Sequence, residues 1–131
     1  MINTTIGNCA IVILAAGKSV RLGSPKQLLA YNGKTLLRHS VDAALETGCQ
    51  SVFVVLGANI ELMRKELKDK PVMIIENAGW QEGMASSLRC GLDNITNTIL
   101  RPDCVIFMVC DQPFVSSSLL LDLLKKRQET G

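Results

Sequence analysis

Residues 11–14 read Ile-Val-Ile-Leu, and the run stops at Ala15-Ala16-Gly17. Successive apolar, mostly β-branched positions predict a strand buried on both faces, because a half-exposed strand would alternate apolar with polar residues. Such strands are found where helices cover a parallel sheet. The segment that follows is polar. Gly17 and Gly23 supply its hinges, Lys18, Arg21 and Lys26 its charges, and Pro25 stiffens its end. Small residues let backbone N–H groups approach phosphate oxygens, and cations neutralise them. A basic strand-to-helix connection is the plainer account of a Gly-containing loop. Three cations around two glycines directly after a buried strand favour a phosphate loop.

The spelling of the loop argues against two common phosphate binders. No G-x-G-x-x-G spacing occurs, and Gly17-Lys18-Ser19 and Gly33-Lys34-Thr35 lack the leading glycine of a P-loop, which would fall at Val12 and Leu28. The 131 residues suit one domain, 1–131, with a real core. Aromatics make up only 4% of the chain, so that core must be Leu, Ile, Val and Ala, as under a helix-covered sheet. A formal net charge of +2 implies no broad surface for nucleic acid or membrane. With no evident signal peptide or membrane-spanning run, a cytoplasmic protein is expected. Five cysteines, odd in number and without C-x-x-C, and the single His39 make no recognisable zinc site. Most of them read as small buried hydrophobes, with Cys110, beside Asp111, nearest to candidate chemistry.

The pattern predicts strands at Cys9–Leu14, Ser51–Leu56, Val72–Ile75 and Cys104–Val109. Between them come a helix from Leu36 to about Glu46, capped by Thr35 and ended by Gly48, and a short helix carrying Ile60, Met63 and Leu67. A third helix runs from about Met84 to Asn94 with Leu88 and Leu92 inward. Asn32-Gly33 signals a turn, and Ser116 or Ser117 caps a last helix ending in Lys125, Lys126 and Arg127. His39 reads as solvated or packed rather than catalytic, and Arg64, Lys65, Lys68 and Lys70 as a solvated face. Strand and helix alternating four times predict an α/β, three-layer αβα fold with a mostly parallel, doubly wound sheet.

Ligands of such sheets bind beyond the carboxyl ends of the strands. That rule gathers four connections on one rim: Ala15–Lys26, Gly57–Asn59, Asn77–Gly83 and Asp111–Pro113. Asp111 closes a buried strand, and a carboxylate facing a polyphosphate is suited to Mg²⁺. An Asp closing a turn before proline is the plainer alternative, and the neighbouring cationic loop favours the metal. In the third segment Gly83 permits close backbone approach, while Ser86 and Ser87 fall in the first turn of a helix with its free N–H groups. Asn77 could read a base or ribose. Read without the sheet, the serines are simple caps and Trp80 a half-buried lid.

The segment Leu14-Ala15-Ala16-Gly17, with Arg21-Leu22-Gly23 and Pro25-Lys26, resembles the L-A-A-G-x-x-x-R-[ML]-G…P-K motif of nucleotidyltransferases of the nucleotide-diphospho-sugar transferase (Rossmann-like) fold. Further pieces resemble one branch, the MobA-like molybdenum cofactor cytidylyltransferases: Gly33–Leu37, Val52–Gly57, N-x-x-W-x-x-G-M-x-x-S-L at Asn77–Leu88, and Asp111-Gln112-Pro113. Ala16 and Pro25 favour cytidine over guanosine in that comparison. The resemblance implies in-line attack of a molybdopterin phosphate oxygen on the α-phosphorus of CTP, with pyrophosphate leaving. Arg21 and Lys26 would hold the triphosphate, Asp111 would bind Mg²⁺, and Leu14, Ala15, Ala16 and Gly17, with Lys18, Ser19, Gly23, Asn77, Gly83, Ser86 and Ser87, would seat the nucleotide.

The same resemblance implies a C-terminally truncated member, because relatives continue into strands that supply acceptor contacts and a second metal carboxylate. A nucleotide-binding module, an inactive paralogue, a guanylyltransferase and an oxidoreductase relative are the alternatives. An uncovered sheet edge would make a homo-oligomer plausible.

Overall fold

Strand β1 (Cys9–Ala15) is buried along its whole length, and the other strands are laid on either side of it. The computed structural model describes residues 9–17, 20–21, 24–49, 51–98 and 104–110. With β2 (Ser51–Leu56), β3 (Met73–Glu76) and β4 (Cys104–Val109), it forms a sheet in the order β3-β2-β1-β4, every pairing parallel. The chain steps outward from β1 to β2 to β3 and then crosses to the far side of β1. The order therefore switches between β1 and β4, where the register sets Leu14 beside Val109. Open sheets bind ligands at such a switch.

Among the described residues three helices cover the sheet: α1 (Leu36–Glu46), α2 (Ile60–Leu67) and α3 (Met84–Thr98). Alternate residues of β1 serve opposite layers, as the period of a strand requires. Ile11 and Ile13 share one core cluster with Leu37, Val41 and Ala44 of α1 and with Met63 and Leu67 of α2. Val12 and Leu14 share the other with Leu88 and Ile95 of α3. Each fully buried Val, Leu, Ile or Met among them contributes about 1.5–3 kcal/mol. The fold is thus the expected three-layer, doubly wound α/β sheet.

Local signals set most boundaries. Thr35 caps α1, its hydroxyl accepting from the Arg38 N–H at 3.2 Å. Asn32 and Gly33, at φ 51° and 85°, turn a small hairpin between Ala30–Tyr31 and Lys34–Thr35. His39 packs as expected, contacting the Tyr31 carbonyl through Nε2 and the Tyr31 ring edge-on at 5.6 Å.

Three expectations need correction. The third strand begins and ends one residue later than Val72–Ile75. Leu92 does not face inward; it is 45% exposed, and Ile95 takes the buried seat on a helix that runs to Thr98. The cause is Gly91, which brings α3 so close to the sheet that an added Cβ would lie 3.1 Å from Val12 Cγ1. The inward stripe is therefore Leu88, Gly91 and Ile95. Lys70 is not part of a solvated face. It pairs with Asp42 at 2.8 Å, and Lys34 reaches the same carboxylate at 2.7 Å. The helix predicted after Ser116 lies outside the described residues.

Asp42 ties α1 to the hairpin and to the end of α2. Burial pushes its pKa up, but hydrogen bonds from the Lys34 and Lys70 ammonium groups outweigh burial, and the net shift is downward. A depressed carboxylate stabilises the fold above its unfolded-state pKa, and this contribution disappears as pH falls through the folded value. Wild type should therefore lose stability in acid, below the ordinary aspartate pKa, with a steeper slope than Asp42→Asn. Urea melts between pH 2 and 7 check this, and parallel curves would refute it.

Candidate functional site

The A-A-G turn sits where β1 runs out at the rim. The Ala58 N–H donates to the Ala16 carbonyl at 2.9 Å, and the Asn77 N–H to the Leu56 carbonyl at 2.7 Å. These bonds stitch the loops after β1, β2 and β3 side by side. Three of the four predicted rim segments thus meet; the fourth, 111–113, lies outside the described residues.

Two adjoining concavities open there. Leu14, Ala16, Gly17, Trp80, Gly83, Met84 and Ser87 line the first. The second shares Leu14, Gly17 and Met84 and adds Lys26, Gln27, Val109 and Cys110. One side is apolar with an indole wall; the other holds a cation beside the end of β4. A flat, partly apolar group and an anion joined to it suit this pair of hollows.

The wall after β3 is built by hydrogen bonds. Asn77 is 3% exposed, and its Oδ1 accepts from the Gly79 N–H at 3.0 Å. Its Nδ2 donates to Ser86 Oγ at 2.9 Å and Ser87 Oγ at 3.1 Å. Ser86 Oγ in turn lies within reach of the Gly79 and Gly83 carbonyls, at 3.0 and 2.9 Å. Asn77 therefore braces the turn from Gly79 to the start of α3, and Ser87 is the serine that lines the hollow. Gly83 has φ +105°, a conformation side chains rarely adopt, and it lets the chain swing from the Trp80–Glu82 turn into α3. Trp80 lies across Gly57, where an added Cβ would fall 2.6–2.8 Å from its Cβ, Cγ and Cδ1.

Of the sequence-predicted residues, Leu14, Ala16, Gly17, Lys26, Gly83 and Ser87 line the paired hollows, while Ala15, Asn77 and Ser86 lie behind the lining. The backbone of Arg21 pairs with Ser24 in a short antiparallel ribbon. Lys18, Ser19, Gly23 and Asp111 lie outside the described residues. Gln27 and Met84 also line the hollows and are not among the site residues that the sequence points to. For Gln27 the available signal was a polar residue between Lys26 and the apolar Leu28-Leu29.

A family model described as MobA-like NTP transferase domain matches residues 11–131. Nicotine blue oxidoreductase of Paenarthrobacter nicotinovorans is 37% identical over 114 residues, covering 86% of this chain and 54% of that protein. Rv0371c of Mycobacterium tuberculosis H37Rv is similar in structure, with a TM-score of 0.76 and 30% identity over 94% of this chain and 61% of that one. Its complex with manganese matches at a TM-score of 0.75 and 26% identity, over 94% and 61% of the two chains. CMP:2-keto-3-deoxy-manno-octonic acid synthetase complexed with CTP gives a TM-score of 0.73 at 22% identity, over 95% and 48%, a likeness of fold alone. The chain thus spans about half the length of the oxidoreductase and three fifths of Rv0371c.

Proposed function

The chain belongs to the MobA-like NTP transferase family, and on that premise we propose that it binds CTP at the β1 rim and transfers CMP to a phosphate-bearing acceptor, molybdopterin, releasing pyrophosphate. The observation that carries this reading is the pairing of an apolar hollow, walled by Trp80 and floored by Leu14 and Ala16, with a second hollow containing Lys26. A nucleoside fits the first and a polyphosphate the second. Leu14, Ala16, Gly17, Gly83 and Ser87 seat the nucleoside, with Ala15, Asn77 and Ser86 fixing them from behind. Lys26 and Arg21, with Lys18, Ser19 and Gly23 of the same loop, hold the triphosphate and steady the leaving pyrophosphate. Phosphoryl chemistry asks little covalent work of a protein, so positioning and charge carry the rate.

Mg²⁺ is the expected ion. Among the described residues no group of three or more His, Cys, Asp or Glu could hold a metal. Mg²⁺ takes one or two carboxylates and completes its shell from phosphate oxygens and water. Asp111, next in sequence after the lining residue Cys110, would hold it, and the ion would neutralise charge on the phosphates. The manganese complex of Rv0371c supports a divalent metal in the family.

Likeness to nicotine blue oxidoreductase supports a second reading, an oxidoreductase on the same scaffold. Trp80 is the only tryptophan in the chain and lines the hollow, so its fluorescence reports occupancy. Titrations with CTP and GTP, each with and without Mg²⁺, separate the readings. CTP is expected to bind more tightly than GTP and to gain from Mg²⁺, with the gain lost in Asp111→Asn. Equal or absent binding of the two nucleotides would overturn the cytidylyltransferase reading and leave the oxidoreductase one.

A further inference from the structure

Gln27 lies in the short turn Lys26–Leu28 and is only 5% exposed. Its Nε2 donates to the carbonyl oxygens of Gly17 at 2.9 Å and Ala15 at 3.3 Å. Both hydrogens of the carboxamide are therefore in use. Its Oε1 is buried and has no hydrogen-bond partner among the described residues. The amide cannot be turned round to remedy this, because Oε1 would then face two carbonyl oxygens.

A buried carboxamide with an orphan acceptor is a poor choice for stability alone, since an unmet buried acceptor is destabilising and an apolar side chain would avoid it. What the arrangement does achieve is control of the A-A-G turn. In a trans peptide the N–H points opposite to the C=O. Drawing the Ala15 carbonyl toward Gln27 turns the Ala16 N–H, the other end of the same peptide unit, away from it. A backbone N–H turned out of such a small-residue turn is a donor suited to an anion. Ala16 and Gly17 both line the hollow that this turn borders.

We infer that Gln27 is a positioning residue that holds the Ala15–Gly17 turn in its phosphate-accepting conformation. The inference rests on the nucleotide reading above and adds to it a residue outside the loop's glycines and cations. Gln27 touches the turn rather than the reacting atoms, so its effect should appear in phosphate recognition and not in the fold.

The test uses Gln27→Met, which keeps length and burial without either polar atom, and Gln27→Glu, which replaces the two donors by an acceptor. Trp80 fluorescence follows binding of CTP and of inorganic pyrophosphate, each with Mg²⁺, and thermal unfolding is recorded in parallel. Gln27→Met should melt at or near the wild-type midpoint while binding both ligands about tenfold more weakly. Gln27→Glu should bind more weakly still. Variants that bind both ligands like wild type would overturn the inference and leave the nucleotide reading standing. Loss of binding matched by loss of folding in both variants would also overturn it, by showing a structural role. Wild type that binds neither CTP nor pyrophosphate would defeat the nucleotide reading itself, and the inference with it.

Discussion

Gly57→Ala is expected to lower folding stability by about 3 kcal/mol, at the upper end of overpacking costs, and to weaken nucleotide binding at the same time. Gly57 follows β2 at the rim, and Trp80 lies across it. The new methyl group would sit 2.6, 2.7 and 2.8 Å from the Cβ, Cγ and Cδ1 of Trp80, distances that real carbon atoms do not sustain. The obstacle is the root of the side chain, not a flexible tip, so rotating the indole does not clear it. The turn Trp80–Glu82 must move as a body. That turn is tied back through the bonds Trp80 N–H to the Asn77 carbonyl at 3.3 Å and Gly83 N–H to the Trp80 carbonyl at 3.1 Å, so the displacement reaches the start of α3. Urea denaturation gives the stability change, and the Trp80 emission maximum should shift as the indole leaves its seat. Adding Trp80→Gly, which removes Cβ, Cγ and Cδ1 together, to Gly57→Ala should recover part of the loss, the mark of direct coupling in a double-mutant cycle. Strict additivity would show that the two residues do not meet.

Asn77→Ala comes next in size, with an expected loss of about 2–4 kcal/mol from several buried hydrogen bonds and the space left by the side chain. The carboxamide bonds the Gly79 N–H and the hydroxyls of Ser86 and Ser87 together. Ser86 retains its carbonyl partners when Asn77 is gone. The Gly79 N–H and Ser87 hydroxyl lose the bonds that the side chain provides. Since Ser87 lines the nucleoside hollow, CTP affinity should fall along with stability. This pairing of effects separates Asn77 from Gln27, whose replacement by Met is expected to spare the fold. Denaturation and Trp80 titration on the same sample give both numbers. A stability change under 0.5 kcal/mol, the usual range for surface substitutions, would mean that the Asn77 network does not brace the wall.

Sequence patterns revealed the scaffold because the relevant forces are local or periodic. The apolar run at Ile11–Leu14 had to be buried on both faces. Thr35 and Gly48 mark the ends of α1 through a side-chain cap and a positive φ of 77°. The small residues at Ala15–Gly17, and the Asn77–Ser87 segment, could be placed on one rim from the alternation of elements alone. Residue-level roles were less legible. An asparagine at position 77 suits a contact to base or ribose by sequence, whereas in the structure its amide donates to the Ser86 and Ser87 hydroxyls. Lys70 belongs to a cationic run that suits a solvated face, and instead shares Asp42 with Lys34. Leu92 fitted a helical stripe as well as Ile95 did. Only the close approach of Gly91 to Val12 decides which of them is covered.

By itself, then, the sequence determined a parallel α/β sheet, the order of its elements and a loop of small residues and cations at the end of β1. Tertiary structure alone decided that Gln27 would clamp that loop by its carbonyls, that Trp80 would rest on Gly57, and that the strand order would switch between β1 and β4. The reason is physical. Helix and strand periods, caps and turn chemistry act between near neighbours in the chain, so they leave a mark in the spelling. A hydrogen bond from Gln27 to Ala15, or an indole against a glycine from another loop, depends on how separate elements come to rest against one another.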